Sequence, residues 1–245
     1  MIPNNGVAPM KFTDLTVPLT PEMLAIGMKI YPGSSPPFLR EELLTFEKDK
    51  IISSKITMYA HTGSHLDAPG HLVRDGLRID QIPPERWIRK GVTLDLRQTP
   101  ELGVITMDDL NRAEADIKRA GIVIEKGDIV LLCTGHHERT WGSFDYWDRT
   151  PRVDPPAAQW FGERKVSGVG YDFFQEGPGL PPKEIPLGET AHFHIGILSQ
   201  GIFNIEYLQN LHLIVGRKVL IIAAPLLIKD GEGAPARVVA VEGSF

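Results

Sequence analysis

The 245 residues include 26 Lys and Arg against 31 Asp and Glu, a formal net charge of −5, with 42% hydrophobic and 23% charged residues. That is an ordinary globular balance with length enough for one full core. It argues against nucleic acid as a partner, since a phosphate backbone needs a basic surface and no Lys/Arg run exceeds a pair. Cys133 is the only cysteine, so an intrachain disulfide is excluded and a reducing compartment fits. Residues 1–10 carry no signal-peptide pattern, and the longest apolar run, Val219 to Ile228, is about half a membrane span and contains Pro225. A cytoplasmic protein with no membrane partner is expected.

In chain order, residues 1–10 read as a loose end and Phe12 to Val17 as a strand. A proline-rich loop, Y-P-G-S-S-P-P-F, follows at 31–38. Ile51 to His61 and Gly91 to Leu96 are further extended runs. Thr106 is a plausible N-cap with Asp108 and Asp109 in the first turn; Leu110, Ala113 and Ile117 recur at helical spacing until Gly121. Asp128 to Cys133 reads as a buried strand, Asp154-Pro155 as a helix start, and Val166 to Asp172 as a strand. Gly188 to Gln200 reads as a helix closed by Gly201. Strands at Lys218 to Ile228 and Ala236 to Val241 flank the turn D-G-E-G. The pattern predicts a single α/β domain over 1–245, with a mixed β-sheet core flanked by helices.

Residues 60–71, A-H-T-G-S-H-L-D-A-P-G-H, hold three of the eight histidines and an aspartate. Gly63 and Pro69-Gly70 exclude a helix. On an extended chain His61, His65 and Asp67 share one face. His65 and Asp67 would stand ~6.6 Å apart, but His61 and His65 ~13 Å apart, too far to meet on one ion. The chain must therefore bend between them, and Gly63 permits it. The turn at 68–70 would then carry His71 back towards the same point. The stretch reads as a metal site.

This stretch resembles the H-x-G-T-H-x-D-x-P-x-H signature of the cyclase family, which includes metal-dependent amide hydrolases; Ser64 replaces threonine and keeps the hydroxyl. Two other segments resemble that family: D-L-T-V-P-L-T followed by Y-P-G near the start, and H-I-G-I-L-S-Q-G-I-F-N-I-E-Y-L at 194–208. The resemblance implies the family's swivelling β/β/α fold. It also implies one metal held by His61, His65 and Asp67, and a second held by Asp67, His194 and Glu206. His71 matches the catalytic histidine, and Tyr31 and Phe38 are expected to touch substrate. One or two divalent ions per chain, zinc or manganese, are implied, as is a homodimer or homotetramer. Tyr207 stands where the family usually carries asparagine, and Y-D-F-F-Q-E-G at 171–177 departs from the usual, more polar sequence.

The expected function is hydrolysis of a cyclic or N-formyl amide of a small, aromatic molecule, with His71 moving the proton while staying off the metal. A lactone or other non-aromatic substrate, or metal binding without turnover, are the competing readings. No G-x-S-x-G, P-loop, G-x-G-x-x-G or H-E-x-x-H occurs. His192 is expected to support the site or the fold, His136, His137 and His212 to be solvated or locally bonded, and Asp172 to be structural. W-G-S-F-D-Y-W at 141–147 is either a wall for a planar ring or a packed loop.

Overall fold

The computed structural model describes residues 10–24, 28, 37–178, 185 and 187–243. Tyr31 therefore lies outside the described residues, as does the expected loose end at 1–9. Its strands are β1 (Lys11–Asp14), β2 (Phe38–Leu44), β3 (Ser53–Met58), β4 (His65–Asp67), β5 (Ile88–Asp95), β6 (Val104–Ile105) and β7 (Ile129–Cys133). They continue with β8 (Arg152–Val153), β9 (Gly168–Tyr171), β10 (Phe203–Glu206), β11 (Lys218–Pro225) and β12 (Gly233–Glu242).

Eight strands form one mixed sheet in the order β1-β12-β11-β5-β7-β9-β10-β4, and β4 also pairs with β12, so the sheet closes on itself. Strands β5, β7, β9 and β10 run parallel, while β4, β11, β12 and β1 join antiparallel. The closing strand forks: Gly233 to Pro235 pair with β4, and Val239 to Glu242 pair with β1. A mixed sheet was expected, but its closure was not; β12 closes it through a contact about 170 residues distant in sequence, which no local pattern encodes.

Alternation along the strands divides the core. Ile129, Leu131 and Cys133 of β7 join Leu66, Phe203, Ile205, Ile221 and Val238 in the inward cluster. Val130 and Leu132 point the other way, into a cluster shared with Val169, Tyr171 and the helices. Helix α1 (Met107–Arg119) packs there through Leu110, Ala113 and Ile117. It starts as expected: the Thr106 hydroxyl accepts the Asp109 N–H, and the Asp109 carboxylate accepts the Thr106 N–H at 2.8 Å. Helix α2 (Ala158–Glu163) follows a single 3-10 turn at Pro155–Ala157, and α3 (His192–Leu198) is shorter than the 188–200 expected. The expected strand at Lys218 to Ile228 stops at Pro225, and β12 begins three residues before Ala236.

Strands β2 and β3 form a separate hairpin, almost wholly exposed from Leu39 to Met58. Its strand β3 falls within the expected extended run; β2 had no counterpart, because F-L-R-E-E-L-L lacks alternation and follows a proline-rich segment.

Candidate metal centre

Strand β4 is only three residues long and lies between β10 and β12. His65 stands opposite Glu206 and Pro235, and Asp67 opposite Asn204 and Gly233. Leu66 and Ile205 turn into the inward core, so His65, Asp67 and Glu206 emerge together on the other face of the sheet. All three are at least 94% buried.

His61 reaches the same place from outside the strand. Gly63 has φ +60°, the left-handed region that favours glycine, and a Cβ there would also displace the end of the Leu19 side chain. The bend brings the His61 and His65 rings to 4.9 Å between centroids. The hydroxyl of Ser64 pins it from both sides, accepting the Val17 N–H at 2.9 Å and donating to the Tyr207 carbonyl at 2.7 Å. Helix α3 supplies His194 from above.

Two triads result, His61–His65–Asp67 and Asp67–His194–Glu206, each with its donor atoms within 4.8 Å of one another. Asp67 belongs to both. Its Oδ1 lies 2.7 Å from His61 Nδ1 and 3.3 Å from His65 Nε2, and its Oδ2 lies 3.5 Å from His194 Nε2. His194 Nε2 is also 2.6 Å from Glu206 Oε1.

The donor set fits a divalent cation. Imidazole and carboxylate are ligands that zinc and manganese both accept. Asp67 Oδ1 is buried without a hydrogen bond of proper geometry, although two imidazole nitrogens lie close to it. Groups aimed at a common point in this way await a third party. The second ring nitrogens are already committed: His65 Nδ1 is 2.8 Å from the Gly63 carbonyl, and His194 Nδ1 is 2.8 Å from Glu176 Oε1. Each leaves Nε2 facing the cluster, the arrangement that fixes ligand tautomers. The local field also favours positive charge. Burial presses the His61 imidazole down, yet Asp67 outweighs it and holds the group up at about 9. Burial opposes protonation of His194 as well, and Glu206, Asp67 and Glu176 overcome it.

His71 sits at the end of a 3-10 turn, Pro69–His71, held by the Arg78 guanidinium donating to the Gly70 carbonyl at 2.8 Å. Its ring centroid is 4.3 Å from that of His61 and 6.5 Å from that of His194, and it belongs to neither triad. Burial lowers its pKa; Asp67 pulls the other way, and His61 and His194 reinforce the burial. The imidazole is therefore neutral at neutral pH, with a lone pair available beside the cluster.

Phe38 is buried at the start of β2, next to Pro37, whose carbonyl accepts the Thr62 hydroxyl. That bond ties the hairpin base to the His61 turn. His192 is exposed at the start of α3 and belongs to neither triad. His136 and His137 are buried rather than solvated; His136 is bonded locally, the other outcome expected, with Nε2 2.8 Å from the Tyr146 carbonyl, and His137 stacks on Trp141. His212 bonds locally to Glu138. The 141–147 segment is a packed loop, in which Trp141, Tyr146 and Trp147 surround Tyr207, itself 5.5 Å from the His65 ring. Asp172 is structural: it accepts from Thr134 N, Thr134 Oγ1 and Gly135 N, and burial outweighs those bonds to lift its pKa to about 6.

Sequence reading missed Gln175 and Glu176. Gln175 donates to Glu206 at 2.7 Å and lies 2.9 Å from His194 Nε2; Glu176 accepts the His194 N–H at 2.7 Å besides facing its ring. The only signal was that both fall in the atypical Y-D-F-F-Q-E-G stretch.

A closed mixed sheet bearing two carboxylate-bridged triads with a histidine beside them defines a metal-site protein of the hydrolase kind. Residues 13–176 match the family model described as "Putative cyclase", and the chain belongs to that family. It is 24% identical over 230 residues to the kynurenine formamidase of Bacillus mycoides (strain KBAB4), covering 94% of this chain and 96% of that one. Among solved structures it is similar to isatin hydrolase A from Ralstonia solanacearum, with TM-score 0.76, 26% identity, and 95% and 92% of the two chains covered. Isatin hydrolase A from Labrenzia aggregata gives TM-score 0.77 at 25% identity, covering 96% and 94%.

Proposed function

We propose that this chain is a metal-dependent hydrolase opening a cyclic or N-formyl amide of a small aromatic molecule. The observation that carries the reading is His71, a neutral imidazole facing two metal-type triads while belonging to neither. His61, His65 and Asp67 would hold one ion, and Asp67, His194 and Glu206 a second, zinc or manganese in either case. A divalent ion bound there acidifies water and polarises a carbonyl. His71 accepts the proton of the attacking water and returns it to the departing nitrogen, so one side chain serves both halves of the cycle. Gln175 and Glu176 hold His194 and Glu206 in position. Tyr31 and Phe38 are proposed to meet the substrate ring; the tether between Pro37 and Thr62 supports Phe38 in that role. The aromatic substrate class rests on the similarity to kynurenine formamidase and isatin hydrolases.

The chain is further proposed to work as a homodimer or homotetramer, a reading supported by Leu39, Leu43, Ile52 and Ile56, all exposed on or beside the hairpin. A cytoplasmic setting is supported by the lone, buried Cys133. Among the described residues no helix is long and apolar enough to cross a membrane.

Metal content per chain, measured by plasma mass spectrometry on protein purified without chelator, tests the proposal. One or two equivalents of zinc or manganese are expected, falling with all activity in Asp67→Asn. His71→Ala should keep its metal and lose ~10²–10⁴-fold in turnover on an N-formyl aryl amide. A metal-free wild type, or an active His71→Ala, overturns it.

A further inference from the structure

At the other end of the parallel strands from the triads lies a cavity of about 560 Å³, within the size range of small-molecule sites. Its wall is formed at the starts of β5, β7, β9 and β10, and it gathers Arg86 and Arg89, Lys126, and Lys165 from three separate stretches of chain. No carboxylate lines it. Glu85, next to Arg86 in sequence, is exposed and not part of the wall; Glu125 and Asp128 pair with Lys218, and Glu163 accepts from Gln159.

The two arginines are held without being neutralised. Arg86 donates Nε to the Ser167 hydroxyl at 2.9 Å and Nη2 to the Gly201 carbonyl at 2.7 Å. Arg89 donates Nε to the Gly127 carbonyl at 2.9 Å. Among the described residues none of the four cations makes an ion pair, and Arg86 Nη1 and both Arg89 Nη atoms meet no acceptor there. Carbonyl bonds fix a guanidinium in place while leaving its charge uncancelled, which is the arrangement a charged ligand needs. A purely structural arginine pair would be expected to recruit a carboxylate, because burial and the neighbouring charge of Arg89 both act against Arg86.

We propose that this cavity binds a compact small molecule carrying two or more negative charges, such as a dicarboxylate or a phosphorylated metabolite. The two guanidiniums contact its anionic groups, and Lys126 and Lys165 close over it from the exposed rim. The site is separate from the metal centre: Ile202 on its wall and Glu206 at the triads are four residues apart on a nearly straight strand, roughly 13 Å. The inference does not rest on the hydrolase reading.

The test is calorimetric titration of the metal-loaded protein with 1,3-propanedisulfonate, a dianion with little affinity for metals, against methanesulfonate as the monoanion. Saturable binding at one per chain is expected, about tenfold or more tighter for the dianion, and weakening as sodium chloride is added. Lys126→Ala/Lys165→Ala should weaken it about tenfold with the melting temperature unchanged, since both lysines are exposed and the bonds of Lys165 to Gly162 and Gly127 are backbone bonds that alanine keeps. Arg89→Gln should weaken it at least as much. No saturable binding at millimolar disulfonate, or binding that is equal in wild type and both variants, overturns the proposal.

Discussion

At His194 the two ring nitrogens face different duties: Nε2 turns to Asp67 and Glu206, and Nδ1 to Glu176. Removing the charge of Glu176 while keeping its shape should loosen the ring and weaken metal affinity at the second triad. Glu176→Gln is expected to lose ~10–100-fold in affinity, read by competition with a chelating dye, with the first triad little changed. Tyr207 poses a different question. Its φ of +55° explains why asparagine is usual there, since asparagine tolerates the left-handed region that costs a tyrosine ~1–2 kcal/mol. Its ring, however, is buried among Trp141, Tyr146 and Trp147, and truncating such a ring costs ~3–5 kcal/mol. Packing therefore wins: Tyr207→Asn should lower stability by roughly 2 kcal/mol in urea unfolding, despite relieving the backbone. The residues around Asp67 were legible because His61, His65 and Asp67 fall within seven positions with a glycine at the required bend. Gln175 and Glu176 were not, because contact between residue 176 and residue 194 is a product of the fold and leaves no spacing rule in the sequence.

Elements divide by the same logic. Helix α1 was readable from its cap and its apolar spacing, and β7 from a continuous apolar run, because each has a local cause. Strand β10 was not, although it carries Glu206. Phe203 to Glu206 is four residues directly after a helix-ending Gly201, and its strand character comes from lying between β9 and β4. Strand β4 itself is defined wholly by its two neighbours. The parallel core is packed closely enough that one glycine leaves no room for a side chain: a Cβ on Gly91 of β5 would lie 2.6 Å from the Ile129 carbonyl oxygen and 2.8 Å from Ile221 Cγ1. The carbonyl is ladder backbone and cannot yield. Gly91→Ala should cost ~1–3 kcal/mol, seen as a lower melting temperature with metal stoichiometry retained.

For the whole molecule, two buried titratable groups away from the metal centre pull stability in opposite directions as the pH falls. Burial lowers His137 to about 4, with Glu138 opposing and His136 assisting. Its unfolded value is near 6.5, so below that pH the unfolded chain takes up a proton that the folded chain refuses. The contribution is complete above pH ~6.5 and is lost as the pH falls through 4, amounting to about 3 kcal/mol at most. Asp172, raised to about 6, acts in the opposite direction, gaining stability as pH falls below that value. Comparing chelator-treated wild type with His137→Gln isolates the histidine: the wild type should lose melting temperature more steeply between pH 6.5 and 4. Parallel slopes would remove His137 from the account.

The forked strand β12 also sets an order of events during synthesis. A ribosome that has reached residue 206 has already made every histidine and carboxylate of both triads. Asp67 and His65 nonetheless have a strand partner on one side only until Gly233 to Pro235 emerge and complete the ring. The cage around the candidate ligands is thus complete only once residues 233–235 have emerged, and a nascent chain stalled before residue 233 presents those ligands without it.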